Sequence, residues 1–467
     1  MNVTLTAKAF SPGSRAPRVD LTVMEFAFSE ARPRITRFEC REAQRSGNAL
    51  TLRYAAVAGD ADAYVFAERI EIPGELPDTP VVAGLVRLLS LAASLSYYKA
   101  FAPVPFAVPS GLTEVERRFI AELIAGGLGE FAVVNDLAEV LEPEIDAPAL
   151  AAVPSGSAGA APRRALVAVG GGKDSIVSIE ALKAAGIDAT AFGINPRRPI
   201  ERTAEVAGLA LERASRRIDP LLLQLNAEGA PNGHVPVTAI NSIIALLAAV
   251  AGGHDTVVFS NEASASYGNQ RWAGHDINHQ WSKSSFFERL LRESVPEGSP
   301  EYVSLLRPLT ELRIARAFAR HTAYHRVFTS CNRAFTMSAA SDASWCGECP
   351  KCRFVSLILA PFLPREELLA IFGGRDLFAE PEQREGYLEL LGVDGLFKPF
   401  ECVGEPDECR VALELMRERD DWDGHPFLQD PAVQAVGASA VERESVFAWR
   451  ENEHFLSTRL EEVARAI

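Results

Sequence analysis

The chain has 467 residues, of which 48% are hydrophobic and 23% are charged. This composition is typical of a folded globular protein and excludes both a disordered chain and a small disulfide-stapled scaffold. The 62 acidic residues exceed the 47 basic ones, and the formal net charge of −15 disfavours nucleic acid as a partner, because a polyanion is bound by a basic surface. By length, about two to three domains are expected.

The sequence pattern predicts neither export nor a membrane span. The first eight residues lack a charged region followed by an apolar one. The longest apolar stretches, 81–95 and 239–251, are shorter than the roughly 20 residues that cross a bilayer. Four of the seven cysteines lie between residues 331 and 352, which favours reduced thiols or a metal site. We therefore expect a cytoplasmic protein with no membrane partner.

The first 150 residues predict an α+β domain. Alternating apolar residues at 20–28 and 50–54 indicate strands, and apolar residues at helical spacing follow from 81 to about 140. Residues 151–164 are rich in Ala, Pro, Gly and Ser and carry neither period. We interpret them as a linker.

From residue 165 the pattern is that of an α/β domain with a doubly wound parallel sheet. Its predicted elements are strands at 165–169, 189–194, 256–260 and 326–330, and helices at 175–185, 238–251 and 309–320. This domain is expected to span 165–362 and to bind ligands where the carboxyl ends of its strands meet. Residues 363–467 predict a mainly helical C-terminal region.

A glycine loop separates the first strand of this domain from its helix. It comprises Gly170, Gly171, Gly172, Lys173, Asp174 and Ser175. Glycines let backbone N–H groups approach a polyphosphate closely, and the N-terminus of the following helix adds positive potential. The spacings of a Walker A loop and of a dinucleotide fingerprint are both absent. We predict a phosphate cradle, with a plain glycine turn capped by the serine as the alternative.

Four cysteines form a second motif: Cys331, Cys346, Cys349 and Cys352. Thiolates at two-residue spacings suit tetrahedral zinc, and four of them leave no open position, so that a filled site would be structural. In the alternative reading the last three are free thiols. Cys331, at the end of a predicted strand, would then be a candidate base or nucleophile.

A polar stretch, residues 260–284, follows the strand at 256–260. Its side chains are dense in hydrogen-bond donors and acceptors, which predicts a wall of a substrate site, although Ser and Asn are also common turn formers. The candidate substrate-binding residues are Asn261, Ser264, Ser266, Tyr267, Asn269, Asn278, Gln280, Ser282 and Ser284.

The motifs resemble those of known families. Gly-Gly-Lys-Asp-Ser at 171–175, after a buried strand, looks like the pyrophosphate loop of the N-type ATP pyrophosphatases, the PP-loop superfamily, except that Gly170 replaces the leading Ser of that family. The cysteine motif is similar to the zinc site of the deazaguanine nitrile synthases of that superfamily. With Asn-Gly-His-Val-Pro at 232–236 and Arg-Pro-Leu-Thr-Glu-Leu at 307–312, the order of motifs over 165–359 closely resembles the MurL family of ATP-dependent epimerases.

The MurL resemblance implies inversion of the terminal L-Glu of UDP-N-acetylmuramoyl-L-Ala-L-Glu in peptidoglycan precursor biosynthesis, with ATP and Mg²⁺ as cofactors and AMP and diphosphate as products. By this resemblance the glycine loop holds ATP and Asp174 coordinates Mg²⁺. Lys173 and Lys283 are the candidates to neutralise phosphate charge.

Inversion needs a base that removes the α-proton of the glutamate. The candidates are His279, Cys331, Glu262 and Tyr267. His279 is preferred, because a neutral imidazole accepts a proton near pH 7. The proton could leave from an acyl-adenylate or from an oxazolone, and the sequence does not choose between the two.

Two other functions stay open on sequence alone. One is a different adenylating PP-loop enzyme, of the deazaguanine nitrile synthase type. The other is a non-catalytic module that senses adenine nucleotides and uses its zinc knuckle to bind a partner.

Overall fold

We describe a computed structural model of the chain, which covers residues 33–156, 162–335, 344–393, 401, 403–451 and 454–467. The strand expected at 20–28 lies outside these residues. Residues 35–467 form one compact unit.

A large mixed sheet runs through this unit. Its strands and a separate hairpin are β1 (Arg37–Ser46), β2 (Ala49–Ala58), β3 (Ala61–Glu71), β4 (Phe106–Ala107), β5 (Ile145–Asp146), β6 (Arg164–Ala168), β7 (Asp188–Ile194), β8 (Leu211–Arg217), β9 (Thr256–Phe259), β10 (Gln270–Trp272), β11 (His275–Ile277) and β12 (Glu301–Ser304). Within the described residues ten strands form the sheet in the order β12-β9-β6-β7-β8-β3-β2-β1-β4-β5, and β10 pairs with β11 alone.

The strands from β12 to β8 are all parallel, as expected of an α/β fold with crossover helices. The strands β6, β7 and β9 confirm three of the four predicted ones. The fourth, at 326–330, is wrong: this segment is turn and irregular backbone. The edge position beside β9 belongs to β12, and the segment instead crosses the end of β6, where Thr329 N–H donates to Gly171 O at 2.9 Å.

Helices cover both faces of the sheet and form the C-terminal part. They are α1 (Pro80–Tyr98), α2 (Glu114–Gly127), α3 (Gly129–Asn135), α4 (Lys173–Ala184), α5 (Arg198–Ala207), α6 (Pro220–Ala227), α7 (Val237–Gly252), α8 (Ser285–Ser294), α9 (Glu311–Phe318), α10 (Pro350–Leu359), α11 (Arg365–Ile371), α12 (Arg384–Leu391), α13 (Pro406–Arg417), α14 (Pro426–Gln429), α15 (Pro431–Gln434), α16 (Ala440–Phe447) and α17 (Thr458–Arg465). The C-terminal helices pack on α9 and α10 in the same hydrophobic core as β6 and α4.

The sheet is continuous across the linker expected at 151–164. Antiparallel β1–β3 join the parallel strands because β3 pairs with β8 from Arg69 to Glu71. The division into separate domains on either side of that linker stays a prediction.

Helix α1 is the longest helix among the described residues. With 19 residues it is long and apolar enough to pass for a membrane span, yet 72% of its apolar window is buried inside the protein. It lies against α7 and strand β1, and Leu85, Leu88, Leu89 and Ala92 face the core as their helical spacing predicted. This is the burial of a core helix.

Candidate functional site

The glycine loop connects the carboxyl end of β6 to the N-terminus of α4 and fits tightly against its neighbours. Gly171 adopts φ = 82°, in the left-handed region that favours glycine. A Cβ on Gly172 would lie 3.1 Å from the Cβ of Ser330. Glycine is therefore favoured at 171 by the backbone conformation and at 172 by the close approach of the segment after α9.

A cavity of about 330 Å³ opens beside this loop, at the carboxyl ends of β6, β7 and β9. Its polar lining includes Asp174, Ser175, Asn261, Lys283, Ser330 and Lys351. The position is the one where open α/β sheets bind ligands. Of the residues predicted from the sequence, the cavity brings together Asn261, Lys283 and four residues of the glycine loop, namely Gly170, Gly172, Asp174 and Ser175.

Lys173 does not line the cavity, although its neighbours in the glycine loop do. Its side chain is 1% exposed and forms ion pairs with the carboxylates of Asp174 and Glu311. Burial lowers the pKa of Lys173, but the two carboxylates outweigh burial and hold the pKa above its usual value. The lysines that line the cavity are Lys283 and Lys351.

Lys351 is a site residue that sequence reasoning missed. It lies in the first turn of α10, between two of the clustered cysteines, and its ammonium is 3.7 Å from the Glu311 carboxylate. Its place inside a cysteine motif drew attention to the sulfurs instead. The signal that could have revealed it is a lysine placed between two cysteines of a candidate metal-binding motif.

Two buried carboxyl groups behave oppositely. Burial raises the pKa of Glu262, and the nearby carboxylates of Glu311 and Asp174 raise it further. Burial also acts to raise the pKa of Glu311, but Lys173 and Lys351 outweigh it and hold that pKa below its usual value. Of these two carboxyl groups, Glu262 is the one that more readily carries a proton.

A buried arginine fixes the two ends of the polar stretch. Arg307, in the motif at 307–312, is fully buried and pairs with the buried Glu288 at 3.1 Å. Its guanidinium also donates to Glu262 O at 2.8 Å and to Lys283 O. The side chains of Glu262 and Lys283 therefore project from a backbone held at fixed positions.

The polar stretch has structure of its own, including the β10–β11 hairpin. Most of its predicted substrate residues bond within it or to adjoining α8. Ser264 donates to Glu262, Ser266 to Ser285, and Asn278 to Ala265 O; Asn269 accepts from His279 N–H, and Ser284 caps α8. Gln280 and Ser282 are buried, and Tyr267 is half-exposed beside Arg450. Asn261 is the predicted substrate residue among them that lines the cavity.

His279 belongs to a second cluster, with Glu130 and His234. Its Nδ1 forms a hydrogen bond with Glu130, and the imidazole rings of His279 and His234 lie 4.5 Å apart. His234 Nδ1 is 3.8 Å from the same Glu130 carboxylate. Burial and the His279 ring lower the pKa of His234 to about 4, so this imidazole is neutral near pH 7.

Glu401 lies near both the histidine cluster and the cavity. Burial raises the pKa of Glu401, whereas His279 and Lys351 both lower it. This carboxyl group is thus within electrostatic reach of both the histidine cluster and the cavity, and it accepts a hydrogen bond from Asn332, which lines the cavity. Sequence reasoning missed Glu130, which lies 149 residues from His279.

The four cysteines converge. Their sulfur atoms all lie within 4.8 Å of one another. Backbone N–H groups of Cys346, Gly347 and Glu348 donate to sulfurs at 3.3–3.4 Å. Hydrogen bonds among the thiols hold the pKa of Cys331 below its usual value and the pKa values of Cys349 and Cys352 above theirs. Four convergent sulfurs with N–H···S bonds fit a tetrahedral zinc site.

The parallel sheet with a polar cavity at its carboxyl edge defines an α/β protein of the ligand-binding, enzyme-like class. Residues 27–305 match the family model of the MurL N-terminal domain, and residues 327–446 match that of the MurL C-terminal domain. The chain belongs to the MurL family.

Three curated relatives carry the name UDP-N-acetyl-alpha-D-muramoyl-L-alanyl-L-glutamate epimerase. The Micromonospora protein is 49% identical over 81% of this chain and 86% of its own length. The Salinispora tropica protein is 48% identical over 79% and 82%, and the Xanthomonas oryzae pv. oryzae protein 44% identical over 76% and 80%.

Proposed function

We propose that this protein inverts the terminal L-glutamate of UDP-N-acetylmuramoyl-L-alanyl-L-glutamate to D-glutamate in peptidoglycan precursor biosynthesis, and that it consumes ATP to do so. The names of the relatives support the substrate and the inversion. The observation that carries the use of ATP is the cavity at the glycine loop, which combines an anion-binding backbone with Asp174, Lys283 and Lys351. On this proposal the α/β core is a member of the PP-loop superfamily.

The chemistry explains why ATP is needed. Removing the α-proton beside an ionised carboxylate places a second negative charge next to the first. Attack of the α-carboxylate on the α-phosphorus of ATP expels diphosphate and gives a neutral acyl group, which withdraws electrons from the α-carbon. Water later cleaves the acyl–oxygen bond and releases AMP.

Each part of the cavity has a role in the adenylation step. The N–H groups of the glycine loop and the N-terminus of α4 face the phosphates, and the ammonium of Lys283 offsets their charge. Asp174 would hold Mg²⁺, which favours carboxylate oxygen ligands and would shield the phosphate charge when bound. The buried pair Arg307–Glu288 keeps Lys283 in place through its backbone.

The histidine cluster is suited to proton transfer. An ionised Glu130 carboxylate can only accept a hydrogen bond, so it selects the tautomer of His279 that carries a proton on Nδ1 and a basic lone pair on Nε2. His279 would take the α-proton through that nitrogen. Glu262, whose pKa burial raises, is the candidate to return a proton. The same groups would serve an acyl-adenylate or an oxazolone.

We further propose that the cysteine cluster holds a structural Zn²⁺. The four sulfurs would use every position of a tetrahedral ion, so that the metal would stabilise the fold around α10 and take no direct part in the reaction.

The test is a reaction of the protein with ATP, Mg²⁺ and UDP-N-acetylmuramoyl-L-Ala-L-Glu in D₂O. We expect AMP together with D-glutamate that carries deuterium at the α-carbon after acid hydrolysis. AMP release only with another acceptor would overturn the proposal in favour of a different adenylating enzyme. Nucleotide binding without any AMP release would overturn it in favour of a sensing module.

A further inference from the structure

Two residues next to cysteines of the cluster, Ser330 and Lys351, line the cavity. Cys331 follows directly after Ser330, whose Cβ packs against Gly172, and Thr329 N–H donates to Gly171 O at 2.9 Å. The Thr329 hydroxyl in turn accepts from Cys331 N–H at 3.2 Å. This cysteine is thus tied by neighbouring residues to the glycine loop.

Lys351, which lies between Cys349 and Cys352 in the sequence, also lines the cavity. Cys349 caps α10 and Cys352 lies in its first turn, so Lys351 is fixed between two sulfurs of the cluster. Lys351 is 5% exposed. Its ammonium group lies over the ring of Phe354 and is 3.7 Å from a carboxylate oxygen of Glu311. It lines the cavity with Asp174.

Ser330 carries an unmet hydrogen-bonding group. Among the described residues its Oγ is shielded from solvent and makes no hydrogen bond, although the residue lines the cavity. A buried hydroxyl without a partner is costly unless a ligand satisfies it. The loop beside it has Gly170 at its first position and so presents no hydroxyl group there.

We propose that Ser330 and Lys351 bind the β- and γ-phosphates of the nucleotide, and that the four-cysteine cluster, when it holds a metal ion, positions both of them against the glycine loop. This inference rests on the proposed use of ATP. The Ser330 hydroxyl donates to a phosphate oxygen, and the Lys351 ammonium supplies a charge that Lys173, turned toward Asp174 and Glu311, does not bring to the cavity. The cluster thereby links metal binding to nucleotide binding.

Binding of α,β-methylene-ATP with Mg²⁺, measured by calorimetry without the muramoyl substrate, tests the two residues. We expect Lys351→Met to weaken binding about 10- to 100-fold and Ser330→Ala about 5- to 10-fold, because each removes a hydrogen bond to a charged group. AMP lacks the β- and γ-phosphates, so its affinity should change far less. Lys351→Arg should restore part of the loss, and Lys183→Met, at a surface position paired with Glu180, should change nothing.

The outcomes are distinct. Wild-type affinity for α,β-methylene-ATP in both variants would overturn the assignment, and an equal loss for AMP and α,β-methylene-ATP would show a merely structural role. If the wild-type protein bound neither nucleotide, the proposed use of ATP would fail as well. If it bound α,β-methylene-ATP but did not invert the muramoyl dipeptide, only the proposed reaction would fail.

The link to the metal has its own measurement. Coupling between two sites is reciprocal, so α,β-methylene-ATP must strengthen metal binding by the factor by which metal strengthens nucleotide binding. We expect it to raise the zinc affinity of the wild-type protein, measured at equilibrium in competition with a chromogenic chelator, and to have little effect on the Ser330→Ala/Lys351→Met double variant. Equal zinc affinity of the wild-type protein with and without nucleotide would overturn the positioning role of the cluster.

Discussion

Asp174 lies both at the start of α4 and in the wall of the cavity, where its carboxylate could hold a metal ion bound to phosphate. It lies in the first turn of α4, after the glycine loop, and it lines the cavity while it pairs with the buried Lys173. We expect Asp174→Asn to lower AMP release and inversion together by at least about 100-fold, because the amide loses the charge that would hold Mg²⁺. A coupled assay of AMP and D-glutamate measures both.

The matched control for this change is Asp188→Asn. Asp188 begins β7, and its side chain is 69% exposed at 3.7 Å from Arg164. It should leave both activities unchanged. Turnover retained in Asp174→Asn would remove the assignment of the glycine loop to ATP.

His279 is expected to act after adenylation, so its loss should separate the two products. In His279→Gln we expect deuterium incorporation and inversion to fall at least about 100-fold, whereas AMP release falls less, because the adenylate still forms and hydrolyses. His275→Gln, in the neighbouring hairpin at 3.9 Å from Glu142, is the control. Inversion at the wild-type rate in His279→Gln would exclude it as the base.

At the scale of elements, helices α9 and α13 meet at a buried acid behind the site. Glu408 accepts from Leu312 N–H at 2.8 Å, one residue after Glu311. Burial raises the pKa of Glu408 to about 8, and the Glu311 carboxylate adds to the effect. The folded protein therefore keeps a proton that the unfolded chain releases above its ordinary pKa of 4.5.

This proton makes the free energy of unfolding fall as pH rises from about 4.5 to 8, by up to about 5 kcal/mol. In Glu408→Gln, which mimics the protonated acid, this part of the slope should vanish and the protein should be more stable than wild type at pH 8. Denaturant unfolding across that pH range measures it, with Glu414→Gln on the same helix as control. An unchanged slope in Glu408→Gln would show that the carboxyl group is ionised in the folded protein.

The sequence predicts the unit from β6 to β7 correctly and the segment 326–330 wrongly. The unit from β6 to β7 was predictable because an apolar run, a glycine turn and a helical period follow one another locally. The segment 326–330 has a strand-like composition, but β12, only four residues long, holds the sheet edge. Which of these two segments pairs with β9 depends on tertiary contacts, and the local sequence pattern carries no information about them.

The candidate site likewise contains local motifs that the sequence reveals and distant residue pairs that it does not. The glycine loop and the four cysteines are compact motifs, so their spacing alone predicts that their residues lie close together, as the convergence of the four sulfurs confirms. Glu130 and Glu311 meet their partners His279 and Lys173 over 149 and 138 residues, so that only the fold brings them together. The burial that turns Lys173 inward was likewise invisible in the sequence.

At the scale of the whole molecule, the strands before residues 151–164 and most of those after them belong to one sheet. Where β3 meets β8, the fully buried Glu68 pairs with Arg216, which also donates to Ser96 on α1 at 2.9 Å. We expect Glu68→Ala to lower the free energy of unfolding by about 3 to 5 kcal/mol, because it leaves a buried guanidinium without its charge partner. A single cooperative transition should shift as a whole.

The control for this prediction is Glu71→Ala on the same strand. Its partner Arg69 is 57% exposed, so the change should cost less than about 1 kcal/mol. Thermal unfolding followed by circular dichroism measures both variants. Two separate transitions, of which Glu68→Ala shifts only one, would contradict a continuous unit and favour independent domains on either side of residues 151–164.

The central claim is that ATP activates the glutamate α-carboxylate. We would prepare the muramoyl dipeptide with both oxygens of that carboxylate replaced by ¹⁸O, react it in ordinary water, and analyse the AMP by mass spectrometry. Attack of the carboxylate on the α-phosphorus predicts that each AMP carries one ¹⁸O, whether the proton leaves from the acyl-adenylate or from an oxazolone. AMP without ¹⁸O, released alongside D-glutamate, would contradict activation of the carboxylate by adenylation.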